Sequence, residues 1–349
     1  MQNLEKSKIN FEKQMGNRVM SSNKVNDEEI EESLEVIEKN EERLKVIENI
    51  KNNIANNKLN SKVEINDPVM TDEQREKYIM NFDSIRRTLP KRIKRWEARK
   101  IAKNYTKLFN FGTTKIIGLK NLEAVKSSGA IITGNHFNPM DTTVIMYALE
   151  KIGKINHLDI VVEEENILME GQFGFILNNC GTIPMSKSQA YLENNFMPSI
   201  KKLLNNKDMI LIYPEEQMWF NYRKPRPCKI GAYHIATKFN VPIVPMFTEM
   251  REIEGKYDEN GFNKLKFILH IMPAIYPDES KSFREAKMEL RDKDYQVKVA
   301  AYERAYGKKL DYTFEDKDIA GLVEDEEYLY DRKEVKGRIK SSKNSEEEE

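Results

Sequence analysis

Between residues 115 and 276, short runs rich in β-branched and aromatic residues alternate with helix-length stretches, and this alternation restricts the chain to an α/β layer fold. The pattern predicts strands over 115–119, 129–134, 158–163, 182–185, 209–213, 241–247 and 264–275. Helices are predicted over 139–152, 166–179, 189–205 and 229–240, with one more over 282–306 packed outside. The expected architecture is a mixed sheet flanked by helices, preceded by a helical N-terminal extension. Ligand sites in such sheets lie beyond the carboxyl ends of strands.

The strand over 129–134 runs directly into Gly134-Asn135-His136-Phe137-Asn138-Pro139-Met140-Asp141. Asn138 reads as a helix N-cap with Pro139 at the first helical position. An Asp in the first turn can reach back and accept a hydrogen bond from one ring nitrogen of His136, leaving the other nitrogen free as a base. The plainer alternative is an Asp141 favoured by the helix dipole beside an ordinary loop histidine. With four histidines in the chain, one at a strand tip stands out.

Composition narrows the setting. Lys+Arg and Asp+Glu both total 57, so no overall charge excess points to nucleic acid. Two cysteines, Cys180 and Cys228, without a Cys-x-x-Cys pair or an apolar leader, predict a reducing cytoplasmic location. The longest apolar runs, over 243–247 and 209–213, are far shorter than the roughly 20 residues of a membrane helix. No span is expected. With 33% charged residues, part of the chain must lie outside the core.

Residues 28–58 carry apolar positions at Ile30, Leu34, Ile37, Leu44, Ile47 and Ile54, the stripe of a polar amphipathic helix or weak coiled coil. A solvated helix is expected there, with a protein-partner helix as the alternative. Between Arg86 and Lys107 ten cations face one anion, Glu97, and are interleaved with Ile85, Leu89, Ile93, Trp96, Ile101, Tyr105, Leu108 and Phe109. Such a segment suits an anionic membrane surface; the alternative is a stripe packed onto the domain. The tail over 341–349 reads as disordered. The expected divisions are a polar extension over 1–80, a basic amphipathic helical segment over 81–112, a catalytic domain over 113–310 and an acidic, largely disordered tail over 311–349.

Three more blocks follow His136 at strand ends or starts: Gly181-Thr182-Ile183-Pro184-Met185-Ser186-Lys187, Ile212-Tyr213-Pro214-Glu215-Glu216, and Val241-Pro242-Ile243-Val244-Pro245. Over residues 115–247 the chain resembles the glycerolipid acyltransferases, the family that includes 1-acyl-glycerol-3-phosphate acyltransferases. That family carries His-x4-Asp, Gly-x-Ile-Phe-Ile-Asp-Arg, Phe-Pro-Glu-Gly-Thr-Arg and Val-Pro-Ile-x-Pro blocks in this order. The resemblance implies a glycerol-phosphate acyltransferase-like fold. It implies that His136 is the general base, that Asp141 orients it, and that the acceptor oxygen attacks an activated acyl carbonyl without an acyl-enzyme. An alcohol is a weak nucleophile near neutral pH, and an imidazole base suits it. Lys187 would grip the acceptor phosphate, Glu215, matching the Glu of the third block, would bind substrate with it, and Val241, Pro242 and Pro245 would form the site floor. No cofactor or metal is implied. Acyl-CoA, acyl carrier protein or acyl phosphate would serve as co-substrate.

The blocks also depart from the family pattern. Ser186-Lys187 replaces Asp-Arg, and Glu216-Gln217-Met218 replaces Gly-Thr-Arg, removing a bidentate phosphate ligand. Arg223, Lys224 and Arg226 are the cations expected to compensate. The acceptor expected is lysophosphatidic acid in phospholipid biosynthesis, at the inner membrane face, with another lysolipid or polar acceptor as an alternative. Two rivals remain in view. One is a non-enzymatic membrane adaptor with an inactive acyltransferase-like domain. The other is a two-metal phosphoesterase, because Gly134-Asn135-His136 is similar to a metal-binding Gly-Asn-His; the absence of a Gly-His-x-His partner motif weighs against it.

Overall fold

The computed structural model describes residues 27–323 apart from 259 and 260. The tail expected over 341–349 lies outside the described residues. The elements that position the site are α1 (Asp27–Ala55), α2 (Leu89–Asn110), β1 (Thr114–Ile117), β2 (Ala130–Thr133), α3 (Asp141–Lys151), β3 (Leu158–Glu163), α4 (Gly171–Asn179), β4 (Thr182–Met185), α5 (Met197–Asn205), β5 (Met209–Ile212), α6 (Gly231–Phe239), β6 (Ile243–Tyr257), β7 (Asn263–Ile271) and α7 (Phe283–Tyr306).

The seven strands form one sheet in the order β1-β7-β6-β2-β5-β3-β4. β6, β2, β5, β3 and β4 run parallel, while β7 is antiparallel to β6 and carries β1 beside it. The central strands, Ala130-Ile131-Ile132-Thr133 and Met209-Ile210-Leu211-Ile212, are continuous apolar runs because helices cover both faces. Their alternation sorts side chains into two layers. Ala130, Ile132, Met209 and Leu211 join the cluster that includes Val144, Ala148 and Leu149 of α3 and Ala98 and Ala102 of α2. Ile131 and Ile210 face Ile200 and Leu204 of α5 and Ile235 and Ala236 of α6.

Each predicted strand is present. β6 continues well past residue 247, pairing with β7 as a long hairpin with an irregularity between Glu252 and Tyr257. The first-layer helix starts at Asp141, two residues later than Pro139 predicted. Asn138 instead closes the preceding turn, its Oδ1 accepting from the Met140 N–H at 3.0 Å.

Two expectations about the flanks change, and between two readings of the basic helix the packed one is excluded. The second half of α1 is not a solvated or partner-seeking helix: Val46, Ile47, Ile50 and Ile54, with Leu59 and Val63 beyond it, pack on Trp219, Phe220, Tyr222, Phe262 and Ile319. The described part of the presumed tail, residues 311–323, is also packed, with Ile319 and Ala320 buried. Finally, α2 docks through its small and polar i+4 row of Ala98, Ala102, Thr106 and Asn110, which lets the helix backbone approach α3 closely. Its large apolar residues point outward, with Trp96 65% and Leu108 81% exposed, so the stripe does not pack onto the domain; Phe109 alone of those named joins the core. Among the described residues, no helix is long and apolar enough to cross a membrane.

Candidate active site

His136 and Tyr213 meet because their strands are neighbours in register. Thr133 pairs with Ile212, so the chains leaving β2 and β5 emerge side by side at the carboxyl edge. The two rings stack with centroids 4.1 Å apart and planes 10° from parallel. Asp141, in the first turn of α3, places its Oδ2 2.7 Å from His136 Nδ1. A carboxylate accepts, so Nδ1 carries the proton and Nε2 is left as the basic nitrogen.

Asp141 is only 2% exposed, yet its oxygens are well supplied with donors. The Phe137 N–H donates to Oδ2 at 3.1 Å and the Tyr213 hydroxyl to Oδ1 at 2.6 Å. Thr142 Oγ1 lies 3.0 Å from the Tyr213 oxygen. Burial pushes the Tyr213 phenol well above its usual value, and the adjacent Asp141 charge pushes it further, so it stays a neutral donor. The His136 side chain remains 23% exposed at the edge of the sheet. A held imidazole with one free, accessible nitrogen can take a proton from a hydroxyl brought to it.

The third block has a different role from the one expected. Glu215 is buried and accepts from the Arg226 backbone N–H at 2.9 Å and from Arg226 Nε at 3.1 Å. It also accepts from the His136 N–H at 3.3 Å. Arg226 is 1% exposed, stacks over the Trp219 ring at 4.6 Å and donates to the Gln217 carbonyl. Lys224 is equally buried, 2.7 Å from Asp318 and 2.6 Å from the Thr313 carbonyl. Arg223 donates to the Met250 carbonyl at 2.7 Å and pairs with Glu252. These four residues therefore do not line a substrate surface. Taking long cations into a loop interior satisfies buried carboxylates and carbonyls that water cannot reach.

The N-terminal segment completes this brace. Asn60 Nδ2 donates to the carbonyls of Glu215 at 3.3 Å and Pro227 at 2.8 Å, and Trp219 Nε1 donates to the Ser61 carbonyl at 2.9 Å. Leu59 and Ser61 thus sit on the loop that holds the His136 backbone. Glu216 adopts a left-handed φ of 65°, uncommon for a non-glycine residue, and presents its carboxylate to solvent. Nearby, Gln217 Nε2 donates to Glu163 at the end of β3 at 2.6 Å. Burial and the Glu165 charge raise the Glu163 carboxyl above the usual range.

Lys187 is exposed two residues beyond β4, on the same edge as His136. Three strand spacings of about 4.8 Å, roughly 14 Å in all, separate its strand from β2. Pro245 pairs with Thr133 and so lies beside β2 close to its end. Val241 and Pro242 precede β6 and sit at the opposite, amino edge, where the Pro242 carbonyl accepts from Ile131. They are not part of the site floor. Tyr213 was absent from the predicted site; its signal was a hydroxyl-bearing ring next to Pro214-Glu215 where the family block has Phe.

The mixed sheet thus presents a carboxylate-held histidine at the carboxyl edge of its parallel strands, an arrangement chemically able to serve base-catalysed transfer or hydrolysis. Residues 115–249 match the family described as Acyltransferase. The 1-acyl-sn-glycerol-3-phosphate acyltransferase of Haemophilus influenzae is 26% identical over 149 residues, which are 42% of this chain and 58% of that protein. The chain thus spans less than two thirds of that relative's length. The crystal structure of the 1-acyl-sn-glycerophosphate acyltransferase from Thermotoga maritima aligns with a TM-score of 0.44 and 18% identity, covering 68% of this chain and 90% of that one. The likeness to the Acyltransferase family therefore lies in residues 115–249, which hold His136, Asp141 and Tyr213.

Proposed function

We propose that the chain transfers a fatty acyl group from an activated donor to a hydroxyl of lysophosphatidic acid while bound peripherally to an anionic membrane. The observation that carries the reading is the His136–Asp141 contact of 2.7 Å, with Tyr213 fixing both partners. His136 Nε2 removes the proton from the acceptor hydroxyl, and the oxygen attacks the acyl carbonyl. The tetrahedral intermediate collapses to the ester. The leaving thiolate or phosphate takes the proton back from the imidazolium, so His136 returns to its starting state.

The acceptor is supported by the Haemophilus influenzae relative's named activity, and membrane contact by the outward apolar and cationic face of α2. A second reading replaces lysophosphatidic acid with a lysolipid lacking a phosphomonoester. It is favoured by the engagement of Lys224 and Arg226 in the brace and by the Glu163 and Glu216 carboxylates at the site edge.

The test is purified chain with mixed vesicles, offered lysophosphatidic acid and other lysolipids with acyl-CoA, acyl carrier protein or acyl phosphate as donor. Diacyl product is expected from one combination, and His136→Ala should lower the rate about 10²–10⁴-fold. An active His136→Ala enzyme would sink the base assignment. Silence with every pair would leave the membrane adaptor as the better description.

A further inference from the structure

A surface cavity of about 430 Å³ opens beside the N-terminal half of α2, walled by Arg92, Arg95, Trp96, Arg99, Lys100 and Lys103. Asn156, in the turn before β3, closes its other side. This is the amino edge of the sheet. The six residues of β3, at about 3.3 Å each, put it roughly 20 Å from the carboxyl edge where His136 stands. The cavity is therefore separate from the proposed acyl-transfer site.

Charge in the cavity is unbalanced. The nearest core carboxylate, Asp159, is engaged by Arg86 at 2.6 Å. Glu150 is shared by Lys107 at 3.1 Å and Lys103 at 3.8 Å. Arg92, Arg95 and Arg99 make no salt bridge among the described residues, and Lys100 lies over the Trp96 ring at 5.4 Å. Burial, then the Arg86, Arg99 and Arg92 charges, depress the Arg95 guanidinium to about 10. Among the described residues, Arg92, Arg95 and Arg99 thus converge on one cavity without an acidic side-chain partner, Arg95 donating only to the Arg86 carbonyl, and this is a charge distribution suited to an anion.

The apolar residues beside the cavity bear on the anion's carrier. Trp96 lines the cavity, and Leu89 and Ile93 stand exposed with it at i, i+4 and i+7 on the helix that supplies the cations. A soluble phosphate would leave these side chains in water. A glycerophospholipid would seat its phosphate among the guanidinium groups and lay its acyl chains along them.

Building on the membrane-bound reading above, we infer that the amino-edge cavity of α2 is a discrete socket for the phosphate headgroup of one anionic phospholipid, distinct from acceptor and donor. It docks the enzyme by a lipid that is not consumed.

The test uses full-length protein and short-chain phosphatidylglycerol below its micelle concentration, so that no charged surface contributes. Trp96 is one of two tryptophans, and Trp219 is buried, so the change in emission reports the cavity. Saturable binding of one lipid per chain is expected. Arg95→Gln/Arg99→Gln should weaken it about tenfold or more, while the charge-matched Arg87→Gln/Lys94→Gln, outside the cavity, stays within about twofold. Equal loss in both pairs would mean a diffuse basic surface and would overturn the socket. Inorganic phosphate displacing the lipid at matching concentration would overturn the lipid assignment, and short-chain phosphatidylcholine binding as tightly would overturn its anionic selectivity. The measurement needs no turnover, and His136→Ala should bind normally, so an inactive enzyme leaves the socket standing.

Discussion

The Tyr213 ring lies parallel to the His136 imidazole at 4.1 Å while the Tyr213 hydroxyl reaches past it to Asp141. One residue thus restrains the base by stacking and the orienting acid by a hydrogen bond. Tyr213→Phe keeps the stack and removes the bond, which to a buried carboxylate is worth roughly 1.5–3 kcal/mol. The expected outcome is a lower melting temperature and a reduced kcat with KM unchanged, read by calorimetry and steady-state kinetics. A KM change at constant kcat would mean that Tyr213 contacts substrate instead.

Asp141→Asn leaves volume and burial nearly intact but removes the charge that accepts from His136 Nδ1. The imidazole is then free to present the wrong tautomer, and kcat should fall about 10²–10⁴-fold. Far-ultraviolet dichroism should remain that of the parent protein. A rate within a few fold of wild type would show that Asp141 does not orient the base.

Glu215 is the sole acid that Arg226 pairs with among the described residues. Glu215→Gln therefore strands a buried guanidinium, at a cost of about 3–5 kcal/mol. Glu215→Gln/Arg226→Met should recover part of that stability, because the uncompensated charge is gone. Urea denaturation of the two variants measures the difference, and a double variant no more stable than the single one would contradict the brace.

Asn60 ties the N-terminal segment to the same loop through two carbonyls. Asn60→Ala should cost about 1–3 kcal/mol and lower kcat, since the loop carries the acceptor for the His136 backbone N–H. Unchanged stability and unchanged kcat would show that the segment only covers the loop.

Arg95→Gln should raise the melting temperature, because it relieves a half-buried cation crowded by Arg86, Arg92 and Arg99. Salt should stabilise the wild type more than this variant, as screening relieves the same repulsion. Thermal melts across ionic strength give both comparisons, and a destabilised variant would show that Arg95 is structurally paired.

Much of the molecule was legible along the chain because its determinants are local. The alternation of short apolar runs with helical stretches marked every strand of the sheet, and β3 and β4 match their predicted bounds. The His136–Asp141 pair was readable because both ends lie within one turn. The cations of 223–226 were misassigned for the opposite reason. Whether a cation faces solvent or a buried acceptor depends on what closes over it, and those groups are distant in the chain: Leu59 for Arg226, Thr313 and Asp318 for Lys224, and Met250 and Glu252 for Arg223.

Sequence by itself determined the layer architecture, the order of the four blocks and the acid–imidazole pair, since periodicity and short-range spacing dictate them. Tertiary structure alone decided that Tyr213 joins that pair, through the register of β2 with β5. It also turned Glu215, Lys224 and Arg226 inward, and it set the large apolar residues of α2 outward by docking that helix through its small ones. A helix with two candidate faces chooses between them only when a neighbour of fixed shape is present.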